Sequence, residues 1–469
     1  MARFEIPFSW SRLRGNNHRS LLAIHKKYGD RVRVAPSIVS HTTGDIWKDA
    51  YGHVKGNAEF PKDTAFVPYN GVHGILTADR TDHRRFRHLF SHAFSQQGLL
   101  SQEARVQGHI DGFIEQMKTR AGKEPLNMVE WFNWLTFDII ADMSFGQSFE
   151  CVEKMETHPW VVGILQGVKA AVWFTVLGRY GLLGFLFKIL PQKLLDARRT
   201  NYEYVSAKLD TRIEHAGDIR GDLLDTVLQK PLDDPEKASL LPPEQRYLNE
   251  EELKSICGNF VLAGSETTAT LLSGAIFLLL THPRVHEKLV KELRETFPTS
   301  ESITIAAAND KSPFLLQVLN ECLRVYPPVP FIFPRSVPAG GATISGHFYP
   351  EGTQMATCAM AANFVESNFA RPNEFLPERW LPKDQRPKEF QNDNANGSFQ
   401  PFSTGPRNCI GRNLAYAEQR VTLAKFLWNF DLSIPKGVSG WEKWIQEMDV
   451  FILWEKNPLM VDVKVRKGI

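Results

Sequence analysis

Cysteine is scarce in this chain of 469 residues, which has only Cys151, Cys257, Cys322, Cys358 and Cys409. The count is odd, the spacings are wide, and no CxxC or close Cys/His pair occurs. A disulfide framework and a zinc site are therefore disfavoured, and a reducing compartment fits. An excess of one charge is also lacking: 55 Lys+Arg against 53 Asp+Glu leave a formal charge of +2, too little for a global field that would draw in nucleic acid. The opening MARFEIPFSWSRLRGNNHRS holds no apolar run of the signal or anchor kind. No uninterrupted apolar stretch reaches the roughly 20 residues a spanning helix needs. Repeats and low-complexity tracts are missing as well, which excludes a solenoid.

What is present is a large apolar inventory, 43% of residues with 11% aromatic, enough for a sizeable core. Helical periodicity dominates. Val106, Ile110, Phe113, Ile114 and Met117 recur at spacings of three and four, which predicts one buried stripe. A long helix is expected from Asn249 to Leu280, with three early glutamates suiting its positive end and Thr281-His-Pro283 closing it. Shorter helices are expected over Pro283–Thr296 and Pro313–Val325. Strand alternation is confined to Arg31–Val39, Ala342–Tyr349, Thr353–Ala359 and the terminal LMVDVKV. Val161–Leu190 reads as two apolar helical pieces joined by a loop, either core or a membrane-touching patch. Arg371–Gly405, rich in Pro, Asn and Gly, reads as an irregular connector packed over something large. No composition break marks a linker, so the expectation is one mainly α domain with small β-sheets over 1–469.

The stretch PFSTGPRNCIGRNLAYAEQR, Pro401 to Arg420, sets Cys409 in a Gly- and Arg-containing loop ahead of a helix. Cys151, Cys257, Cys322 and Cys358 read as small core residues. Cys409 has four readings: nucleophile, zinc ligand, idle thiol, or axial haem ligand. A nucleophile wants a histidine in reach, and zinc wants three more ligands. A haem-thiolate loop wants glycines for close approach, backbone N–H groups toward the sulfur, a cation for the propionates and an apolar shield. Gly405, Gly411, Arg407 and Phe402 match those needs, and a helix N-terminus beyond the sulfur favours the thiolate.

FSTGPRNCIG matches, position for position, the F-x-x-G-x-R-x-C-x-G signature of the cytochrome P-450 superfamily, the haem-thiolate monooxygenases. Other segments resemble that family at the expected places. Ala263-Gly264-Ser265-Glu266-Thr267-Thr268 is similar to its oxygen-binding motif. Glycine inside a helix costs about 1 kcal/mol against alanine, so Gly264 beside Ala263 is expected to clear space over a haem, with Glu266 and Thr267 relaying protons. Glu321-Cys-Leu-Arg324 resembles the family's E-x-x-R, and Phe375-Leu-Pro-Glu-Arg379-Trp its second arginine segment. Glu321, Arg324 and Arg379 are thus assigned a structural role under the cysteine loop. His83 and Arg87, four apart in DHRRFR, and Arg335 in FPRSVP stand where the family places haem propionate ligands, beside Arg407. Each also has the plain reading of a surface cation or cap. Arg84, Arg85, Arg412, Arg420 and Lys425 are expected to gather as a docking face for an acidic reductase.

The resemblance runs from LAIHKKYGD to LWEKNPLM and, with SHAFS at Ser91–Ser95, is strongest to fungal secondary-metabolism members, including trichothecene hydroxylases. It implies the P-450 fold, with haem b buried between the long distal helix and the cysteine-loop helix. It implies insertion of one atom of O2 into an apolar small molecule (terpenoid, polyketide or alkaloid) with electrons from an NADPH-dependent reductase. The alternative is oxidative coupling, rearrangement or dehydration without net oxygen insertion. By the same resemblance Cys409 is the metal ligand, and Ile75, Leu76, Asn259, Leu262, Val329, Phe331 and Ile332 line the substrate pocket. Asn259 either bonds a substrate oxygen or caps a buried carbonyl. The chain is expected to act as a monomer. It is expected on the cytosolic face of the endoplasmic reticulum, touching the membrane surface, if a native anchor was removed, and in the cytoplasm otherwise.

Overall fold

The long helix is Glu250–Thr281, and its start is a capping box: Asn249 Oδ1 accepts from the Glu252 N–H at 2.8 Å while Glu252 Oε2 accepts from the Asn249 N–H at 3.0 Å. A computed structural model describes residues 4–53, 59–62, 70–182, 192–228, 247–331 and 333–467. Within it the long helix is the central element. It packs most extensively on Met128–Phe145, and also on Gln192–Glu214, Pro313–Val325 and Arg412–Asn429. Gln96–Arg120 buries the expected stripe, Val106, Ile110, Phe113, Ile114 and Met117, at 2% exposure or less. The helices Pro283–Thr296 and Pro313–Val325 take the expected bounds, each opened by a proline that needs no N–H partner there.

Four short strands form one mixed sheet, in the order Arg31–Ala35, Ile38–His41, Gln354–Thr357, Arg335–Ser336. The expected single strand Arg31–Val39 is instead a hairpin, with Arg31 opposite His41. Pro36 has no N–H to donate to a ladder, so the chain turns there. Ala342–Ile344 and His347–Tyr349 pair across Ser345-Gly346, both at positive φ, the turn that matches strand twist. Met460–Val465 lies between Leu126–Asn127 and Phe430–Ser433. Pro159–Arg179 is one continuous helix, and residues 183–190 of the second expected apolar piece lie outside the described residues. It and Glu250–Thr281 are long and apolar enough, by length and composition, to cross a membrane. Their charged residues are spread so thinly that the average passes even though no uninterrupted run does. In the most apolar 18-residue stretch of each, 78% of the long helix's residues are buried, which makes it a core element, against 24% for Pro159–Arg179.

At the mixed sheet, His18 and His41 are buried, and His18 Nδ1 and His41 Nε2 have no hydrogen-bond partner among the described residues. Burial lowers both to about 4, helped by Arg19 for His18 and by Arg31 and His25 for His41. Below a pH of about 6.5 the unfolded chain takes up protons that the folded protein refuses until the pH nears 4. Stability from these groups is therefore intact above 6.5 and declines with acid. Between about pH 6.5 and about pH 5 we expect a loss of about 1–1.5 kcal/mol per histidine. Urea midpoints measured across that range check it, and replacing His18 or His41 by Gln should flatten the decline.

Candidate functional site

One face of the long helix stays open. Ala263 is exposed, and Leu262, Gly264 and Thr267 are half-buried, amid neighbours such as Val261, Ser265, Glu266 and Thr268 at 4% exposure or less. Cys409 is the one exposed cysteine of the five. The cysteine loop and the helix are joined through Phe94: its ring stands 5.2 Å from that of Phe260, and its carbonyl accepts from Asn413 Nδ2 at 3.1 Å. The helix Arg80–Phe90 closes one end, with Phe90 also against Phe260 at 5.0 Å.

The loop geometry is local. The Cys409 N–H donates to the Phe402 carbonyl at 2.9 Å, and the Phe402 ring packs 5.0 Å from Tyr416. Gly405 has φ +73° and sits so close to the Tyr51 carbonyl that a Cβ would come within 2.0 Å of it, so no other residue fits. Gly411 precedes the helix Arg412–Asn429 as its N-cap. Although its surface is exposed, Cys409 has enough protein packed around it that desolvation raises its thiol, against the Gly411 backbone hydrogen bond and the charges of Arg87 and Arg412. A bound metal cation deprotonates a coordinating thiol outright.

Around the loop gather Arg87, Arg335, Arg407 and Lys62, with Glu59 as counter-charge. Arg87 donates to the Asn408 carbonyl at 2.5 Å and to its Oδ1 at 2.8 Å. Arg407 pairs with Glu59 and donates to the Ala78 carbonyl at 2.8 Å. Arg335 is 3% exposed, lies over the Tyr51 ring at 4.9 Å, and keeps Nη1 without a partner. Lys62 donates to the Leu76 carbonyl at 2.9 Å, and burial together with Arg335 and Arg407 lowers it to about 7. His83 is buried and lowered to about 3, by burial first and then by Arg407, Lys62, Arg87 and Arg335. It is therefore neutral at physiological pH, a hydrogen-bonding imidazole and not a cation. Cations crowded with too few acceptors, beside a thiol, suit a flat metal cofactor with carboxylates at one edge. The residues present fit haem. Lys62 and Glu59 escaped the sequence reading because their segment has no motif of its own.

Glu266 and Thr267 diverge. Glu266 is 2% exposed and its carboxylate accepts from Lys456 Nζ at 2.7 Å, a lysine that also bonds Thr270 Oγ1 at 3.0 Å and Asn133 Oδ1 at 3.2 Å. Thr267 Oγ1 is on the open face and donates to the Ala263 carbonyl at 2.7 Å. Gly264 answers a packing demand: a Cβ there would meet Ile140 at 2.6 Å. Ala263, one residue earlier, is the small residue on the open side.

The structural set closes more fully than expected. Glu321 Oε1 accepts from Arg324 Nη2 at 2.8 Å, Arg379 Nε at 3.0 Å and the Leu376 N–H at 2.8 Å; Oε2 accepts from Arg324 Nε at 2.9 Å and Trp380 Nε1 at 2.8 Å. Arg379 also pairs with Asp393, a partner hidden in the irregular connector.

Of the pocket residues, Ile75 is buried, Leu76, Leu262, Val329 and Phe331 are half-buried, and Ile332 lies outside the described residues. Phe331 bridges Cys358 and stands 6.4 Å from the Phe8 ring. Asn259 Oδ1 accepts from the Leu76 N–H at 3.2 Å, so the backbone group it caps is an N–H and not the expected carbonyl. The docking face is smaller than the sequence suggested. Arg84 and Arg412 are exposed, but Arg85 is buried between Asp82 and Glu252, and Lys425 is 1% exposed on Asp111.

A family model described as Cytochrome P450 matches residues 5–462. The chain is 41% identical to the cytochrome P450 monooxygenase stcF of Emericella nidulans, over 99% of this chain and 93% of that protein. It is 41% identical to an averantin hydroxylase of Dothistroma septosporum, over 98% of this chain and 84% of that protein. With a versicolorin B desaturase of Aspergillus parasiticus it shares 38% identity, over 98% of this chain and 90% of that protein.

Proposed function

This chain belongs to the cytochrome P450 family, and from that premise we propose that it inserts one atom of O2 into an apolar small molecule of fungal secondary metabolism, with Cys409 as the residue that would bind the haem iron. The family binds haem b through a cysteine thiolate and works with a redox-partner reductase. The chain is accordingly an oxidoreductase. The observation that carries the assignment of Cys409 is its loop: the one exposed cysteine, acted on by Arg87, which with Arg335, Arg407 and Lys62 forms one cation cluster about His83.

Bound there, the haem supplies oxygen activation and oxidation of a substrate carbon. Arg87, Arg335, Arg407 and Lys62, with the His83 imidazole, are the residues that would hold its carboxylates. Thr267 keeps a hydroxyl on the open face while its proton rests on the Ala263 carbonyl. Glu266 holds its charge against Lys456 and must leave that lysine to carry a proton forward. The reductase is the NADPH-dependent kind, docking where Arg84 and Arg412 are exposed. The protein acts as a monomer on the endoplasmic reticulum surface. Exposed Ile6 and Trp10, four apart on one helix face, and Tyr180, whose OH bonds Ser9 Oγ at 3.1 Å, form the apolar side that meets the bilayer.

The names of the relatives direct the substrate toward compounds like averantin or versicolorin B. The desaturase among them favours a second reading, oxidation without net oxygen insertion. The test supplies the haem protein with reductase, NADPH and isotopically labelled O2, offering averantin and versicolorin B. Product bearing one labelled oxygen supports insertion; oxidised product without label moves the assignment to the second reading; no product from either removes this substrate class. In Thr267→Ala, oxygen uptake should persist while peroxide replaces product. Unchanged coupling to product takes Thr267 out of proton delivery.

A further inference from the structure

Ser255, Asn259, Ala263 and Thr267 follow one another at four-residue spacing, so they share a face of the long helix. Each is at least partly exposed, while Ile256, Cys257, Phe260 and Val261 between them are at 4% exposure or less. The loop before the helix Arg80–Phe90 is stitched to this face. Ser255 Oγ donates to the Val72 carbonyl at 2.9 Å, and Asn70 Nδ2 donates to Glu251 Oε2 at 2.9 Å. Gly74 lies so close that a Cβ would come 2.6 Å from Asn259 Oδ1.

The Asn259 amide is thereby oriented. Its oxygen is committed to the Leu76 N–H at 3.2 Å, an interaction the nitrogen cannot make. Nδ2 has no acceptor among the described residues, and Asn259 is half-buried on the same stripe of the helix as Ala263 and Thr267. An amide donor held in place by its own oxygen, with no protein acceptor of its own, is a recognition element. Eight residues separate it from Thr267, a rise of about 12 Å.

We propose that Asn259 Nδ2 donates to a carbonyl or hydroxyl oxygen of the substrate, so that the site selects an apolar molecule bearing such an oxygen about two helical turns from the carbon oxidised beside Thr267. This rests on the monooxygenase reading above and narrows its substrate class. Preference for the oxygenated ligand should be about 10-fold, since a neutral hydrogen bond is worth roughly that in binding.

The experiment uses the haem-loaded protein and two probes of one ring skeleton, fluorenone and fluorene. Dissociation constants are taken by spectral titration and by equilibrium dialysis. Asn259→Asp keeps an acceptor for the Leu76 N–H and turns the donor into a second oxygen. Its fluorenone-to-fluorene ratio of dissociation constants should rise about 10-fold over the wild-type ratio, with fluorene binding and haem content unchanged. Asn259→Ala should move the ratio the same way, and it carries the test if Asn259→Asp loses haem. An unchanged ratio, or equal weakening for both probes, overturns the proposal and leaves Asn259 a loop fastener. Absence of a thiolate-type carbon monoxide spectrum in the wild-type protein is a different result, and it overturns the haem-thiolate reading itself.

Discussion

Cys409→Ser is expected to fold like the parent, to lose the thiolate-type spectrum of the reduced, carbon monoxide-bound protein, and to make no product. The loop does not depend on sulfur. Its closure is the Cys409 N–H to Phe402 carbonyl bond, and its tight point is Gly405 against Tyr51. Serine keeps both, and its hydroxyl can take the hydrogen bond that the Gly411 backbone gives the thiol. What it cannot supply is a soft, electron-rich anion at that point. The other cysteines offer no substitute. All four are buried, and burial pushes the Cys151 and Cys358 thiols up to about 12. Spectra and turnover check the expectation, with urea midpoints of the haem-free proteins confirming that the fold is unchanged. A thiolate-type spectrum surviving in Cys409→Ser would place the ligand elsewhere.

Glu321→Ala should be the most damaging change to stability. The carboxylate is completely buried and takes five hydrogen bonds from Arg324, Arg379, Trp380 and the Leu376 N–H. Without it Arg324 retains only the carbonyls of Asn363, Pro372 and Glu374, and Arg379 must share its charge with Asp393 alone. Removing one partner of a buried ionic group costs about 3–5 kcal/mol, a large part of the ~5–15 kcal/mol that holds a domain together. The connector from Arg371 to the cysteine loop hangs on this group, so haem content should fall with the urea midpoint. Glu321→Gln keeps the shape and two of the acceptor sites and should lie between. Parental haem content and midpoint in Glu321→Ala would remove the cluster from its structural role.

The parts of the site that were legible in the sequence are those whose partners are close along the chain. The loop around Cys409, the Glu321/Arg324 pair and the small residues before Thr267 each fall within one short segment, where spacing carries the geometry. Partners that arrive from far away leave no such trace. Asp393 reaches Arg379 from the middle of an irregular connector, Glu59 reaches Arg407 across 348 positions, and Lys456 reaches Glu266 across 190. The misread roles have the same origin. Gly264 was assigned to the cofactor, although its demand comes from Ile140 on another helix. Arg85 and Lys425 were read as surface cations because Glu252 and Asp111, which bury them, are remote in sequence. Strand bounds failed at Pro36 for a simpler reason, since alternation continues through a turn that one missing N–H imposes.

The pairing of Glu266 with Lys456 also orders events during synthesis. A carboxylate on the central helix must enter the core, yet its counter-ion is made 190 residues later. Until then the helix would carry an uncompensated charge into an apolar interior, which costs several kcal/mol. On a ribosome adding about 5–20 residues per second, the nascent helix waits roughly 10–40 s before its burial becomes favourable. The chamber beside Cys409 is therefore completed late, and the cofactor meets a chain that is nearly finished.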